Sequence, residues 1–410
     1  MNAHPPLLVS KHFIVTFFGA SSIFLSLFNQ VLVPLKIDRI QPYIAFSVVF
    51  TGLLSLFFWL NSNGLSRLDK KTKVLFKWWL ICLIVMASLP LVYYHTFKFS
   101  NAYFGQGLSQ DYLYVIYITL AFVFVDPLRE KAVDSLFLRV SQLALITGLI
   151  AIVISDVSAA YISERSNAWT LQYHLWWISC AIFSYCYYNS FVNKRNKILG
   201  YAVLLVYIVF GIIVLKRAVI INSIVLLLGT LLLLQRSEFG RNSKRAIVSI
   251  RLIISVSFVV AIFYLLIPSI SIFMHERFST LFSDISDWDR RIEAVKYFEN
   301  QNLDRIILGN GLNNYFVIEI NGKGLPINAL HIGILNMVYK GGILLLLFTL
   351  MIVINLFKLA HSSSLPSEGL IALGIGFSFL VSLSYELSFG YPPIIFFYLV
   401  PILRGFKYIK

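Results

Sequence analysis

Long apolar stretches alternate with short polar connections along almost the whole chain. A chain in lipid must satisfy its backbone hydrogen bonds internally, and a helix of about 20 apolar residues crosses the ~30 Å hydrocarbon core. The pattern therefore predicts an all-α polytopic membrane protein with about twelve transmembrane helices, in which residues 1–410 form one integral membrane domain. The predicted spans lie near residues 13–33, 42–60, 74–94, 112–126, 136–155, 171–191, 198–215, 218–235, 252–274, 332–357, 368–385 and 391–404.

Composition supports this class. Hydrophobic residues make up 58% of the chain and charged residues 13%, and the mean hydropathy is +0.79. Soluble domains have far more charge and far less apolar content. The 3 cysteines all fall in apolar runs, so we expect neither a disulfide framework nor a cysteine metal site. The first apolar run ends without a small-residue cleavage site, which predicts a retained first helix.

The basic residues predict the orientation of the chain. If the N-terminus is cytoplasmic, most of the 34 lysines and arginines fall in short cytoplasmic connections, as the positive-inside rule requires. Both termini are therefore placed in the cytoplasm. The net charge of +15 follows from this topology and from attraction to anionic membrane lipids, and it does not require nucleic acid as a partner.

A long connection, residues 275–330, separates the ninth and tenth predicted spans and is placed outside the cytoplasm. Loops of this length are usually functional or disordered. The stretch WDRRIEAVKYFENQN has apolar residues at roughly helical spacing, which predicts an external amphipathic helix. Glycines and asparagines in DRIILGNGLNNYF then predict turns that return the loop to the bundle.

Basic residues on the external side oppose the charge rule, so each needs a reason. Lys216 and Arg217 interrupt an apolar run between the seventh and eighth spans, Arg290 and Arg291 lie in the long loop, and His331 begins the tenth span. A planar guanidinium matches phosphate oxygens, and histidine exchanges a proton near neutral pH. Together these groups predict a site for a diphosphate with a general base beside it.

The stretches VLKRAVIINSIVLLLG and DRRIEAVKYFENQNLDRIILGNGLNNYF, with the histidine of NALHIGILNMVYKGG, resemble the bacterial O-antigen polymerase and O-antigen ligase superfamily of membrane glycosyltransferases. The resemblance covers about residues 210–350, with Arg217, Arg291 and His331 at the family positions and Gly342 later in the histidine's helix. The family histidine is often followed by asparagine, whereas Ile332 stands here, which marks a divergent member.

The resemblance implies inverting glycosyl transfer at the periplasmic face of the bacterial inner membrane. The donor would be a glycan on undecaprenyl diphosphate, with no metal ion, cofactor or nucleotide sugar. In this scheme Arg217 and Arg291 neutralise the diphosphate leaving group and His331 takes the proton of the acceptor hydroxyl. Further substrate-binding candidates are Lys216, Arg290, Tyr315, as a surface that stacks on a sugar ring, and Glu386, which would orient the acceptor or pair with Lys340.

Several alternatives stay open. We favour a polymerase, whose acceptor is a second lipid-linked repeat unit and whose partners would include a chain-length regulator. A ligase would instead use lipid A core as the acceptor. A flippase for lipid-linked oligosaccharide is the alternative of another class, and an assembly scaffold is less favoured. Asp287 and Asp289 could form a divalent-ion site. The basic pairs could also be headgroup anchors, or ion-pair partners of nearby acids.

Overall fold

A computed structural model of the chain describes residues 11–32, 41–93, 101–154, 288–299, 301–312, 316–320, 323–327, 330, 333–362, 365–385 and 392–409. This part is helical apart from one two-stranded hairpin. Its α-helices are α1 (Lys11–Leu32), α2 (Gln41–Asn61), α3 (Gly64–Arg67), α4 (Lys70–Tyr93), α5 (Asn101–Phe124), α6 (Glu130–Ile154), α7 (Trp288–Glu299), α8 (Leu303–Leu308), α9 (Gly333–Ala360), α10 (Ser367–Tyr385) and α11 (Pro392–Gly405). Two 3-10 turns, Pro127–Arg129 and Phe406–Tyr408, precede α6 and follow α11.

Eight of these helices (α1, α2, α4, α5, α6, α9, α10 and α11) coincide with predicted spans. Two helical stretches, Lys70–Leu89 and Gly333–Ala360, are long and apolar enough to cross a membrane, and a bent pair brings the number to three. Shorter apolar helices lie at Lys11–Leu25, Phe46–Asn61 and Glu368–Leu380. The described helices thus fit a helical membrane protein. The total of twelve spans and their orientation stay predictions, and the spans predicted between residues 171 and 274 lie outside the described residues.

The long connection contains a helix where the sequence predicts an amphipathic one, at α7. It also contains an antiparallel hairpin, β1 (Phe316–Ile320) and β2 (Lys323–Ile327), which the pattern of apolar and polar residues did not predict. Placement of this segment in the periplasm stays a prediction.

Helix α5 forms the centre of the described bundle. Every residue in 113–125 is buried, as expected for a helix that is apolar on all its faces. Helices α2 and α11 pack against it. Between α1 and α2, the Ser22 hydroxyl donates to the Val48 carbonyl and the Ser55 hydroxyl to the Val15 carbonyl, each at 2.8 Å. Hydroxyls that bond across helices are typical of bundles packed in lipid.

A sharp corner joins α5 to α6, because Tyr112–Phe124 and Pro127–Val140 are inclined by 96°. The ring of Pro127 disfavours helical backbone at the residue before it. Asp126 accordingly has φ −53° and ψ 123°, and its carboxylate accepts the N–H of Leu128 at 3.1 Å, which caps the new turn. The first part of α6 therefore runs nearly perpendicular to α5 instead of forming an antiparallel hairpin with it.

Polar contacts gather several connections at one end of the bundle. Arg67, between α2 and α4, binds Asp126 at 2.7 Å. Lys407, after α11, binds Glu368 at the start of α10 at 2.6 Å. The predicted topology places these connections on the same side of the membrane, and in the structure they lie at the same end of the bundle.

Candidate functional site

Three segments of the chain meet around two buried tyrosines. Tyr297 of α7 and Tyr339 of α9 make an edge-to-face contact with ring centroids 5.0 Å apart. The side-chain amide of Asn310, which follows α8, donates to the Tyr297 hydroxyl and to the Tyr339 carbonyl, the latter at 3.3 Å. All three residues are buried. We call Tyr297, Asn310, Leu330 and Tyr339 the tyrosine cluster, since Leu330 packs into the same group.

Residues 309–312, which we call the glycine strap, cross two long helices through backbone hydrogen bonds. The N–H of Asn310 donates to the Tyr339 carbonyl at 2.8 Å, and the N–H of Gly311 donates to the Lys340 carbonyl at 2.9 Å. The N–H of Leu312 donates to the Met86 carbonyl of α4 at 3.2 Å. The strap thereby joins α4 to α9 without side-chain chemistry.

These carbonyls can accept because the helices are interrupted next to them. In a continuous helix each carbonyl bonds to the N–H four residues later. Helix α9 is broken at Gly342, where φ is 61° and ψ is −154°. The break interrupts the series of helical hydrogen bonds in which the carbonyls of Tyr339 and Lys340 would otherwise accept. In α4 the residue four positions after Met86 is Pro90, which has no N–H. The strap supplies the missing donors.

The crossing is close enough to require glycine on both sides. A Cβ atom at Gly342 would lie 2.1 Å from the Ile307 carbonyl oxygen, and one at Gly309 would lie 2.5 Å from the Gly342 nitrogen. Both glycines also have positive φ, 61° and 83°, in the left-handed region that other residues rarely adopt. The close backbone contact and the positive φ therefore each restrict these two positions to glycine.

Helix α9 carries two fully buried polar side chains near the cluster. The Lys340 ammonium lies 5.2 Å from the centroid of the Tyr339 ring, within the range of a cation–π contact. The Asn336 side-chain oxygen accepts the backbone N–H of Leu330 at 2.9 Å. The Asn336 side-chain nitrogen is buried, and no group in the described part of the chain accepts a hydrogen bond from it. Buried polar groups in apolar helices are costly and often functional.

Most of the predicted site residues lie outside the part of the chain that the structure describes. Arg290 and Arg291 lie in the first turn of α7, although their side chains are not among those described. The other predicted site residues lie outside the described residues: Lys216, Arg217, Tyr315, His331 and Glu386. Their convergence on one site stays a prediction.

The structure does connect the segments that lead to two of them. Helix α7, which carries Arg291, is joined to α9 through Tyr297. Leu330, the residue before His331, is in the same cluster. Asn310, Asn336 and Lys340 were not predicted as parts of the site. In the sequence, Pro90 in α4 and the two glycines of the strap are the features that could have indicated a close backbone contact in this region.

A second polar region lies at the other end of α4. The buried carboxylate of Asp126 accepts hydrogen bonds from Arg67, from Arg129 at 2.5 Å and from the indole of Trp59 at 2.9 Å. A cavity of about 190 Å³ lies beside this network. It is lined by Arg67, Leu68, Asp69, Val125, Pro127, Glu130, Leu403, Arg404 and Lys407. Because each cation of the network has an acidic partner, we interpret it as structural.

Glu368 receives two donors at the edge of this region. The Tyr408 hydroxyl donates to its carboxylate at 2.5 Å, and the Lys407 ammonium lies 2.6 Å from the same oxygen. Burial and the hydrogen bond to Glu368 both raise the pKa of Tyr408, because each disfavours the phenolate. The phenol therefore stays protonated and continues to donate through the neutral pH range.

Among the described residues, no group of three or more His, Cys, Asp or Glu side chains is arranged to hold a metal ion. The metal-independence of the predicted chemistry stays a prediction. In comparisons with known proteins, no family model, no curated protein and no solved structure matches the chain.

Proposed function

We propose that this protein is a bacterial inner-membrane glycosyltransferase that joins oligosaccharide repeat units carried on undecaprenyl diphosphate. The apolar helices support membrane insertion. The observation that carries the proposal is the tyrosine cluster, which ties the helix of Arg291 to the residue before His331. The helix that carries Arg291 and the residue before His331 thus pack together, whereas the stretch with Arg217 lies outside the described residues.

Arg291 and His331 each lie close in the chain to a residue of the tyrosine cluster. Arg291 lies six residues before Tyr297, about 9 Å along a helix that rises 1.5 Å per residue. His331 directly follows Leu330. Because Tyr297 and Leu330 pack in one cluster, the backbone at position 291 and the backbone leading to position 331 belong to one region of the molecule. This supports a shared site for an arginine and a histidine.

In the proposed reaction, the acceptor hydroxyl attacks the anomeric carbon of the donor glycan. His331 accepts the hydroxyl proton as the new glycosidic bond forms, and the bond from that carbon to the diphosphate oxygen breaks on the opposite face. Arg217 and Arg291 stabilise the negative charge that develops on the undecaprenyl diphosphate leaving group. Lys216 and Arg290 assist in holding the diphosphate, Tyr315 stacks on a sugar ring and Glu386 orients the acceptor.

The glycine strap gives this chemistry a rigid support. Its three backbone hydrogen bonds hold the chain between α7 and β1 against α4 and α9. Positioning of reacting groups contributes strongly to rate, and small displacements of such groups are costly. A strap made of backbone contacts and glycines is well suited to hold this connection in one arrangement against the two helices.

A deletion strain tests the proposed function through the surface polysaccharide that it makes. A polymerase deletion removes the ladder of chain lengths on a gel but leaves single repeat units attached to lipid A core. A ligase deletion removes every attached repeat while lipid-linked polymer accumulates. Accumulation of unpolymerised donor on the cytoplasmic face would instead indicate a flippase and contradict glycosyl transfer.

A further inference from the structure

We propose that Asn336 is a positioning residue for the segment that carries His331. The inference rests on the proposed function, since it concerns the general base of that reaction. Asn336 is the fourth residue of α9, at the end of its first turn, and is fully buried. Its side-chain oxygen accepts the N–H of Leu330 at 2.9 Å, three residues before α9 begins at Gly333.

This hydrogen bond links the helix to the chain that enters it. The first N–H groups of a helix have no partners within it, and the same holds for the N–H of a residue that precedes the helix, such as Leu330. Leu330 is held twice, because its side chain packs in the tyrosine cluster and its N–H binds Asn336. His331 is the next residue in the chain. Anchoring of the preceding residue restricts the backbone from which the proposed base extends.

Packing alone does not explain an asparagine at this place. A buried amide nitrogen without an acceptor costs free energy, and no group of the described chain accepts from the Asn336 nitrogen. Leucine has the same branching with a larger, fully apolar side chain and would add apolar contact in an apolar helix. The side chain that is present instead satisfies the N–H of Leu330. Its contribution therefore lies in holding that backbone group.

Two substitutions separate positioning from packing. Asn336→Leu removes the acceptor, so kcat of the purified enzyme is expected to fall by about 10-fold to about 100-fold, while KM for the lipid-linked donor stays within about threefold. Asn336→Asp keeps an oxygen for the Leu330 N–H and should restore most of kcat. Thr349→Val is the matched control, because this buried hydroxyl of the same helix bonds only to the Leu345 carbonyl among the described groups.

A substrate-independent measurement accompanies the kinetics. Hydrogen exchange of the peptide that contains Leu330 should become faster in Asn336→Leu and stay unchanged in Thr349→Val. Unchanged exchange in Asn336→Leu would overturn the inference, even if the aspartate variant does not fold. Wild-type kcat in a folded Asn336→Leu protein would also overturn it.

The kinetics distinguish this inference from the proposed function. Inactive His331→Ala together with fully active Asn336→Leu contradicts the positioning role alone. Active His331→Ala removes the general base, and with it both the proposed mechanism and the role of Asn336. If His331→Ala and Asn336→Leu both lose activity and Asn336→Asp restores it, the proposed function and the positioning role of Asn336 are both supported.

Discussion

The backbone N–H of Leu312, in the glycine strap, donates to the carbonyl of Met86 in α4 at 3.2 Å, and Pro90 is the reason that this carbonyl can accept. A proline in a helix usually leaves a carbonyl without its partner, and a membrane helix needs another donor to satisfy it. Here the glycine strap supplies that donor. The contact joins the long connection to the body of the bundle.

Gly342→Ala should disrupt the packing of the glycine strap against α9 and destabilise the protein. The added Cβ would lie 2.1 Å from the Ile307 carbonyl oxygen, and alanine at a φ of 61° is strained by about 1–3 kcal/mol before any clash. We expect a lower thermal unfolding midpoint in detergent and a smaller folded fraction on size exclusion. Gly369→Ala in α10 is the control, since its new Cβ meets a flexible leucine side chain at 3.0 Å. Equal stability of the two variants would contradict the prediction.

Pro90→Ala should loosen the strap by giving Met86 a partner within α4. The restored N–H competes with Leu312 for one carbonyl, and the loss of one hydrogen bond costs about 0.5–1.5 kcal/mol. We expect faster hydrogen exchange in residues 309–312 with the helical content unchanged. Pro366→Ala, at an exposed proline just before α10, should leave that exchange as it is. Slower exchange in the Pro90 variant would count against the proposed competition.

Asn310→Ala should destabilise the tyrosine cluster. The Tyr297 hydroxyl and the Tyr339 carbonyl would each lose a buried donor, which costs about 1–3 kcal/mol in the free energy of unfolding. A double-mutant cycle with Tyr297→Phe should give less than the sum of the two single effects, because both remove one shared hydrogen bond. Tyr43→Phe, at a tyrosine that is 75% exposed, is the control. Strict additivity would show that the amide and the hydroxyl do not interact.

Asp126→Asn should be among the most destabilising substitutions at the charged end of the bundle. Arg129 is fully buried and Arg67 is partly buried, and both lose the charge that compensates them. Removal of one partner from a buried ion pair typically costs about 3–5 kcal/mol. Glu368→Gln breaks the more exposed pair with Lys407 and should change the stability by less than about 1 kcal/mol. Similar unfolding midpoints for both variants would contradict this ranking.

Arg217→Ala, Arg291→Ala and His331→Ala should each lower transfer by the purified protein by about 100-fold or more, because in the proposed reaction each removes leaving-group stabilisation or the general base. Lys296→Ala, a cation five residues after Arg291 on α7, is the control for general loss of charge. The assay is polymer formation from lipid-linked repeat units in the presence of a chelator. A strict need for a divalent ion would favour the Asp287 and Asp289 site instead.

Much of the helical architecture could be read from hydropathy. The eight helices that coincide with predicted spans begin and end within a few residues of them, except that α5 and α6 begin earlier. The corner at Asp126 and Pro127 was not predicted, because apolar periodicity reports burial but not the angle between successive helices. The hairpin was also missed, since two five-residue strands in a long loop give a weak pattern.

The sequence by itself determined that the chain is a helical protein of membrane type and where the eight described apolar helices lie, since hydropathy depends on local residue identity. The arginine and histidine candidates come from the sequence as well and stay predictions. Only the tertiary structure decided that Pro90, Gly309 and Gly342 all contribute to the contact of the glycine strap with α4 and α9, although they lie far apart in the chain. A freed carbonyl is satisfied by whichever donor comes within hydrogen-bond distance, and that donor depends on how the helices pack. The same holds for Asn336, which looks like an ordinary helix residue until its contact with Leu330 is known.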